Sequence, residues 1–226
     1  MKLSIIIPAF NEAATLSRII QRVKKQIFKN ITKEIIVVND GSTDSTKKIL
    51  SSQKGIKTIS LTKNKGKGAA IRAGIKQATG DYVLIQDADL EYDPADIQSL
   101  LDPVLNKKAE VIYGSRFLGP HKNMLFWHLM GNKFLSFITN FLYNTTLSDM
   151  EVGYKLIPKK LLNSITLKEN RFGFEPEVTS KILKQGIRIY EVPISYAGRE
   201  FSEGKKITWV DGLIAFFLLF KYRFLD

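Results

Sequence analysis

Apolar positions along the first half of the chain switch repeatedly between two patterns: short unbroken runs and helical spacing. Residues 3–7 (LSIII) form an apolar run that suits a strand buried on both faces, and Pro8 stops it. Residues 13–25 follow with Leu16, Ile19, Ile20 and Val23 at helical spacing, so strand, short loop and helix open an α/β unit. The pattern returns as a strand over 34–39, a helix over 45–51, a strand over 56–61 and an amphipathic helix with Ile71 and Ile75 one turn apart. A strand over 82–86, a helix over 95–105 with Pro94 at its favoured first position, and a strand over 111–114 complete this half. Such alternation predicts an α/β fold with a mainly parallel sheet covered by helices on both faces.

The second half changes character. Residues 123–147 are dense in leucine and aromatics but interrupted by His128, Asn132, Lys133 and Asn140, which predicts a long or broken amphipathic helix. His128, a lone histidine, fits a structural or interfacial side chain better than a ligand. An acidic turn into a strand (149–158), a helix (172–184) and a strand (187–192) come next, then a polar loop over 196–207 whose composition suits a mobile lid. Residues 209–224 carry an apolar core flanked by Asp211, Lys221 and Arg223, too short to span a bilayer; they fit either a core helix or one lying in the membrane interface. The expected organisation is one domain over 1–226, with a ligand-binding half (1–120) and a second half (121–226) ending in amphipathic helices.

Composition narrows the chemistry. Cysteine is absent, which removes disulfides, zinc–thiolate sites and cysteine nucleophiles, so any metal chemistry must use oxygen ligands. The opening apolar segment is too short for a secretion signal, and a cytoplasmic location is expected. A net charge of +12 calls for an anionic partner. No zinc-finger spacing, aromatic RNA-binding signature or basic heptad region is present, and nucleic acid is not expected.

Candidate chemistry gathers at strand ends. In YVLIQDADLEYD (82–93) an apolar run delivers Asp87, Asp89 and Glu91, which share parity along an extended segment and could face one hard cation, Mg2+ or Mn2+. In VVNDGSTD (37–44), Asp40 could accept from a base N–H, while Asp44 could bond a ribose or cap the next helix. In NKGKGAAIRAG (64–74), a glycine-rich loop opens a helix with Lys65 and Lys67 placed for phosphate, and Arg72 lies one turn inside it. The loop is neither a dinucleotide fingerprint nor a Walker loop, because the third glycine position holds Ile71 and no GK[ST] closes it.

Together, PAFNE (8–12), VVNDGSTD, NKGKGAAIRAG, GDYVLIQDADLEYDP (80–94) and YGSRF (113–117), in this order, resemble the family 2 inverting glycosyltransferases of GT-A fold, in particular the polyprenyl-phosphate hexosyltransferases. DMEVGYKLIP, RFGFEPEVTSKI and GREFSEGKKI resemble later motifs of that subgroup. The resemblance implies a metal-assisted transfer of a hexose from a nucleotide-diphosphate sugar to a polyprenyl phosphate, at the cytoplasmic face of a membrane, with peripheral attachment or an anchoring partner protein. It places Pro8, Phe10, Glu12, Asp40, Asp44, Lys67, Arg72 and Asp87 at the nucleotide sugar. Asp87, Asp89 and Glu91 fall at the metal, although Glu91 stands where glutamine is frequent. Arg116, Asn132, Arg199 and Lys205 fall at the acceptor phosphate, with Asp89, Arg116 and Arg199 central to catalysis. A phosphate acceptor needs no strong general base; a sugar hydroxyl would, and Asp149, Glu175 and Glu177 are the candidates. Transfer to a hydroxyl acceptor, or a non-enzymatic nucleotide-sugar or membrane-binding module, are the competing readings.

Overall fold

A computed structural model describes residues 1–199 and 209–225. The expected alternation is present: β1 (Lys2–Ala9), α1 (Leu16–Lys25), β2 (Thr32–Asn39), α2 (Thr46–Ser52), β3 (Lys57–Ser60), α3 (Lys67–Gln77), β4 (Tyr82–Ile85), α4 (Ile97–Leu105) and β5 (Val111–Ser115). Then come β6 (His121–Lys122), α5 (Phe126–Tyr143), β7 (Lys155–Pro158), α6 (Lys159–Ser164), α7 (Phe174–Lys184), β8 (Ile189–Pro193), β9 (Tyr196–Ala197) and α8 (Trp209–Phe224). The first helix starts three residues later than its apolar spacing suggests. A 3₁₀ turn, Pro94–Asp96, precedes α4, and the Asp93 carboxylate accepts from Ala95 N–H to cap it.

Among the described residues, seven strands form one sheet in the order β3-β2-β1-β4-β7-β5-β8. The sheet is parallel except at β7, which runs antiparallel to both neighbours, β4 and β5. That strand closes the gap between the two halves of the chain. The run at residues 3–7 is buried on both faces, as a strand flanked by two others and covered by helices requires. α3 lies close against β1 because position 74 is glycine: a Cβ there would sit 2.6 Å from Ile6 Cγ2. Chain order reverses between β2 and β4 on either side of β1, so a crevice opens at the carboxyl ends of these strands.

α5 and α8 pack against each other over a second, smaller core of Leu135, Leu142, Tyr143, Met150, Ala215 and Leu219. The rings of Phe134 and Phe216 stack across the pair, and Tyr143 Oη donates to Leu219 O. α5 is one unbroken helix, shorter than the stretch whose composition predicted it. No helix among the described residues is long and apolar enough to cross a membrane.

Candidate active site

The crevice at the strand ends widens into a cavity of about 900 Å³. Pro8, Phe10, Glu12, Asp40, Lys67, Asp87, Asp89 and Glu91 line it. Arg116, Asn132 and Arg199 also line it, Arg199 within 3.7 Å of Glu12, and Trp127, Phe134, Leu213 and Phe216 of α5 and α8 contribute an aromatic wall. Residues from four strand ends and two later helices are thus brought to one space.

The acidic group does not form by strand parity. β4 ends at Ile85, and residues 87–91 turn, with Leu90 at φ 67° and Asp89 Oδ1 accepting from Glu91 N–H. The turn separates the three carboxylates' tasks. Asp87 pairs with Lys67 (Nζ to Oδ1, 2.8 Å), whose ammonium also meets Glu175 at 3.0 Å. Burial alone would lower the Lys67 pKa, but the charges of Asp87 and Glu175 hold it well above its ordinary value. Asp89 pairs with Arg199 (Nη2 to Oδ2, 2.8 Å). Burial, then the charges of Asp87 and Glu91, push the Asp89 carboxyl up to about 7.

Glu91 is the corrected member of the expected metal trio. Its oxygens accept from Tyr196 Oη (2.9 Å) and from the backbone N–H of Arg199 (3.0 Å), so it fastens the 196–199 segment. Among the described residues no group of three histidine or carboxylate side chains converges as a metal cage. Asp87 and Asp89 remain. Two carboxylates in the cavity wall fit a magnesium or manganese ion, which takes one or two protein carboxylates and completes its shell with phosphate oxygens and water.

Two expected nucleotide contacts lie elsewhere. Asp44 accepts from Thr46 N–H (2.9 Å) and Ala13 N–H (3.1 Å), capping α2 and tying it to the loop before α1. It is not part of the cavity wall. Arg72 turns away from the cavity, donating to the Glu169 carbonyl and to Asn170 Oδ1 (2.5 Å), and braces the loop before α7. Residues 97 and 98 positions apart make these contacts, a separation no local pattern announces.

The base candidates are largely committed. Arg116 holds Asp149 with two 2.7 Å hydrogen bonds. Glu177 accepts from the Lys168 and Glu169 N–H groups and pairs with Lys181. Glu175 stays in the cavity wall beside Lys67. The sequence reading missed Glu151, whose Oε1 is buried without a hydrogen bond; burial and then the charge of Glu175 push its carboxyl up to about 8. An acid set among apolar residues in DMEVGY was the available signal. Arg171, on the rim near Asp40, was also missed. Lys205 and Lys206 lie outside the described residues. Of the expected lid, Tyr196–Ala197 is a short strand paired with β6, and Arg199 is anchored by Asp89 and Glu91.

Known proteins resemble this chain in sequence and fold. Residues 4–166 match the model of glycosyl transferase family 2. The UDP-N-acetylglucosamine–dolichyl-phosphate N-acetylglucosaminyltransferase of Methanococcus voltae is 29% identical over 95% of this chain and 93% of its own length. The dolichol-phosphate mannosyltransferase of Pyrococcus furiosus is 30% identical over 91% of this chain and 59% of its own length. Glucosyl-3-phosphoglycerate synthase of Mycobacterium tuberculosis, crystallised with Mn2+, UDP and phosphoglyceric acid, superposes with a TM-score of 0.77 at 18% identity, covering 100% of this chain and 79% of that one.

Proposed function

The chain belongs to glycosyl transferase family 2, and from that premise we propose that it transfers a hexosyl group, with inversion, from a nucleotide-diphosphate sugar to a polyprenyl phosphate at a membrane surface. The observation that carries this reading is the continuity of one cavity from Asp40, past Asp87 and Asp89, to the aromatic wall of α5 and α8. A nucleotide sugar and a phosphorylated lipid each find matching chemistry in it.

Asp87 and Asp89 would hold Mg2+ or Mn2+ on the donor diphosphate, where the ion neutralises charge on the departing oxygen. Arg116 and Arg199 present guanidinium groups to the same space and suit a phosphate bound through charge-assisted, often bidentate hydrogen bonds. With a second pKa of about 6, the acceptor phosphate is already largely dianionic at pH 7. Its oxygen attacks the anomeric carbon, the bond to the diphosphate breaks, and nucleoside diphosphate leaves; no proton need be removed. The commitment of Asp149 to Arg116 and of Glu177 to Lys168, Glu169 and Lys181 agrees with such a reaction.

The outer faces of α5 and α8 support attachment to a membrane. Phe137 and Phe141 on one helix and Phe217 and Phe224 on the other are exposed, with Lys221 and Arg223 near the end of α8. Such a surface suits insertion to headgroup depth. The related transferases named above act on dolichyl phosphate by name, which supports a lipid acceptor.

Mass spectrometry of reactions containing the chain, Mn2+, short-chain polyprenyl phosphate and either UDP-glucose or GDP-mannose tests the reading. A metal-dependent hexosyl phospholipid is expected. Donor hydrolysis without lipid product would redirect the acceptor to a hydroxyl compound, and absence of any turnover would remove the catalytic reading for the isolated chain.

A further inference from the structure

Lys155, the first residue of β7, is fully buried and does not line the cavity. Its Nζ donates to Met150 O at 2.8 Å and to Val152 O at 2.6 Å, and lies 4.1 Å from the centre of the Tyr113 ring. Burial draws its pKa down to about 8, while the charges of Glu175, Glu151 and Asp149 favour the ammonium, so the cation persists at neutral pH. A cation withdrawn from water is costly unless its protons are used, and here main-chain carbonyls use two of them. The reaction outlined above gives this buried charge no task.

What Lys155 holds is the turn that joins two parts of the site. Met150 and Val152 are buried, and their carbonyls converge on the ammonium. The residues that alternate with them meet the site. Asp149 grips Arg116 at Nε and Nη2, Glu151 lines the cavity, and Gly153 sits so close to Asp87 that a Cβ would collide with Oδ2. Upstream the turn is tied by Glu191, which accepts from Ser148 N–H at 2.8 Å and Asp149 N–H at 3.1 Å. Downstream, Gly153 N–H donates to Tyr92 Oη at 3.0 Å. Between these ties, Lys155 gathers the carbonyls.

Resting on the phosphate-acceptor reading above, we propose that Lys155 is a positioning residue for acceptor recognition: it draws the Met150 and Val152 carbonyls inward, sets Asp149, and through Asp149 orients the Arg116 guanidinium toward the acceptor phosphate. An apolar side chain of similar length would fill the volume but leave both carbonyls buried without a partner, and the turn would shift to satisfy them. The Arg116 fork is sensitive to such a shift, because two parallel bonds to one carboxylate fix its direction.

Calorimetric titration of the full chain with a short-chain polyprenyl phosphate, without donor, compares the natural chain with Lys155→Met, whose fold is checked by thermal melting. Affinity is expected to fall about tenfold, the worth of one misaligned hydrogen bond to a charged group. In transfer assays the acceptor KM should rise by a similar factor with the donor KM unchanged. A residue that only stabilises the fold would lower the melting temperature and leave acceptor affinity alone. In an Arg116→Lys background the same substitution should cost less than about twofold, because the fork it orients is gone. Unchanged affinity in a folded Lys155→Met protein, or an equal loss in both backgrounds, overturns the inference and leaves the transfer reading intact. A natural chain that binds no polyprenyl phosphate overturns both. If Lys155→Met does not fold, Lys155→Gln, one bond shorter and without charge, carries the same comparison; failure of both to fold makes the residue structural and overturns the inference.

Discussion

Arg116 and Asp149 meet edge to edge, Nε to Oδ2 and Nη2 to Oδ1, each at 2.7 Å, with Asp149 fully buried. The Arg116 backbone N–H adds a third bond at 3.1 Å. A carboxylate held this way orients a cation; it is poorly placed to take a proton from substrate. Arg116→Lys keeps the charge but cannot reproduce the fork. It should raise the acceptor KM and lower kcat/KM by about 10–100-fold, equivalent to about 1.4–3 kcal/mol of transition-state binding. Asp149→Ala leaves a buried guanidinium unpaired and should cost about 3–5 kcal/mol of stability, read by denaturant unfolding. A stable Asp149→Ala protein whose only defect is in kcat would return Asp149 to the role of base.

Arg199 occupies the space beside Asp89 that a cation on that carboxylate would take. Its guanidinium also lies 3.4 Å from Glu91 and 3.7 Å from Glu12, so it neutralises a cluster that otherwise repels itself. Removing it should raise the affinity of the substrate-free protein for Mn2+ while lowering transfer. Electron paramagnetic resonance of free Mn2+ would register the first effect for Arg199→Gln as a several-fold tighter binding curve. Weaker Mn2+ binding in the variant would show that Arg199 organises the carboxylates and does not compete for them.

How far these contacts were legible in the sequence depends on their range. Residues 3–7 announce a doubly covered strand because every position needs an apolar environment, and the acidic end of β4 is equally local. Asp87 and Asp89 both line the cavity, but the chain turns at Ala88–Leu90, and parity along an extended strand plays no part in placing them. Arg72 beside Asn170 and Arg116 beside Asp149 depend on how loops from distant segments cross. Charge and spacing on one segment carry no information about the segment that will lie opposite. Asp44 illustrates the reverse error, since its local role as a cap was readable from the residues around it and is the role it takes.

Glu151 gives the fold a pH-dependent weakness. Burial, reinforced by Glu175 and opposed by Lys155 and Arg116, raises its carboxyl from 4.5 to about 8. An acid that holds its proton more tightly when folded favours folding at low pH. As pH rises from about 4.5 to 8, the unfolded chain loses that proton first and stability falls. Glu151→Gln keeps the neutral shape and removes the titration. Its melting temperature should exceed that of the natural chain at pH 8 by a few degrees, at about 2–4 °C per kcal/mol for a chain this size, with little difference near pH 4.5. An equal gain at both pH values would trace the effect to packing instead.

The exposed aromatic faces separate a membrane role from a merely structural one. Phe137 is 62% exposed, Phe141 78% and Phe217 67%, and none lines the cavity or contributes much to the core that Leu135, Leu142 and Leu219 make between α5 and α8. Replacing these three by serine should therefore leave the melting temperature nearly unchanged. Each ring that enters the acyl boundary contributes about 1.5–3 kcal/mol, an upper range because insertion is partial. Three losses should lower binding to anionic vesicles by at least about a hundredfold in a sedimentation assay. Transfer to a short, water-soluble polyprenyl phosphate should persist, because Asp87, Asp89 and Arg116 are untouched, while transfer to long-chain acceptor in vesicles should fall in parallel with binding. Unaltered vesicle binding would assign the two helices to a protein partner or a second copy of the chain, and an accompanying change in sedimentation velocity would tell these apart.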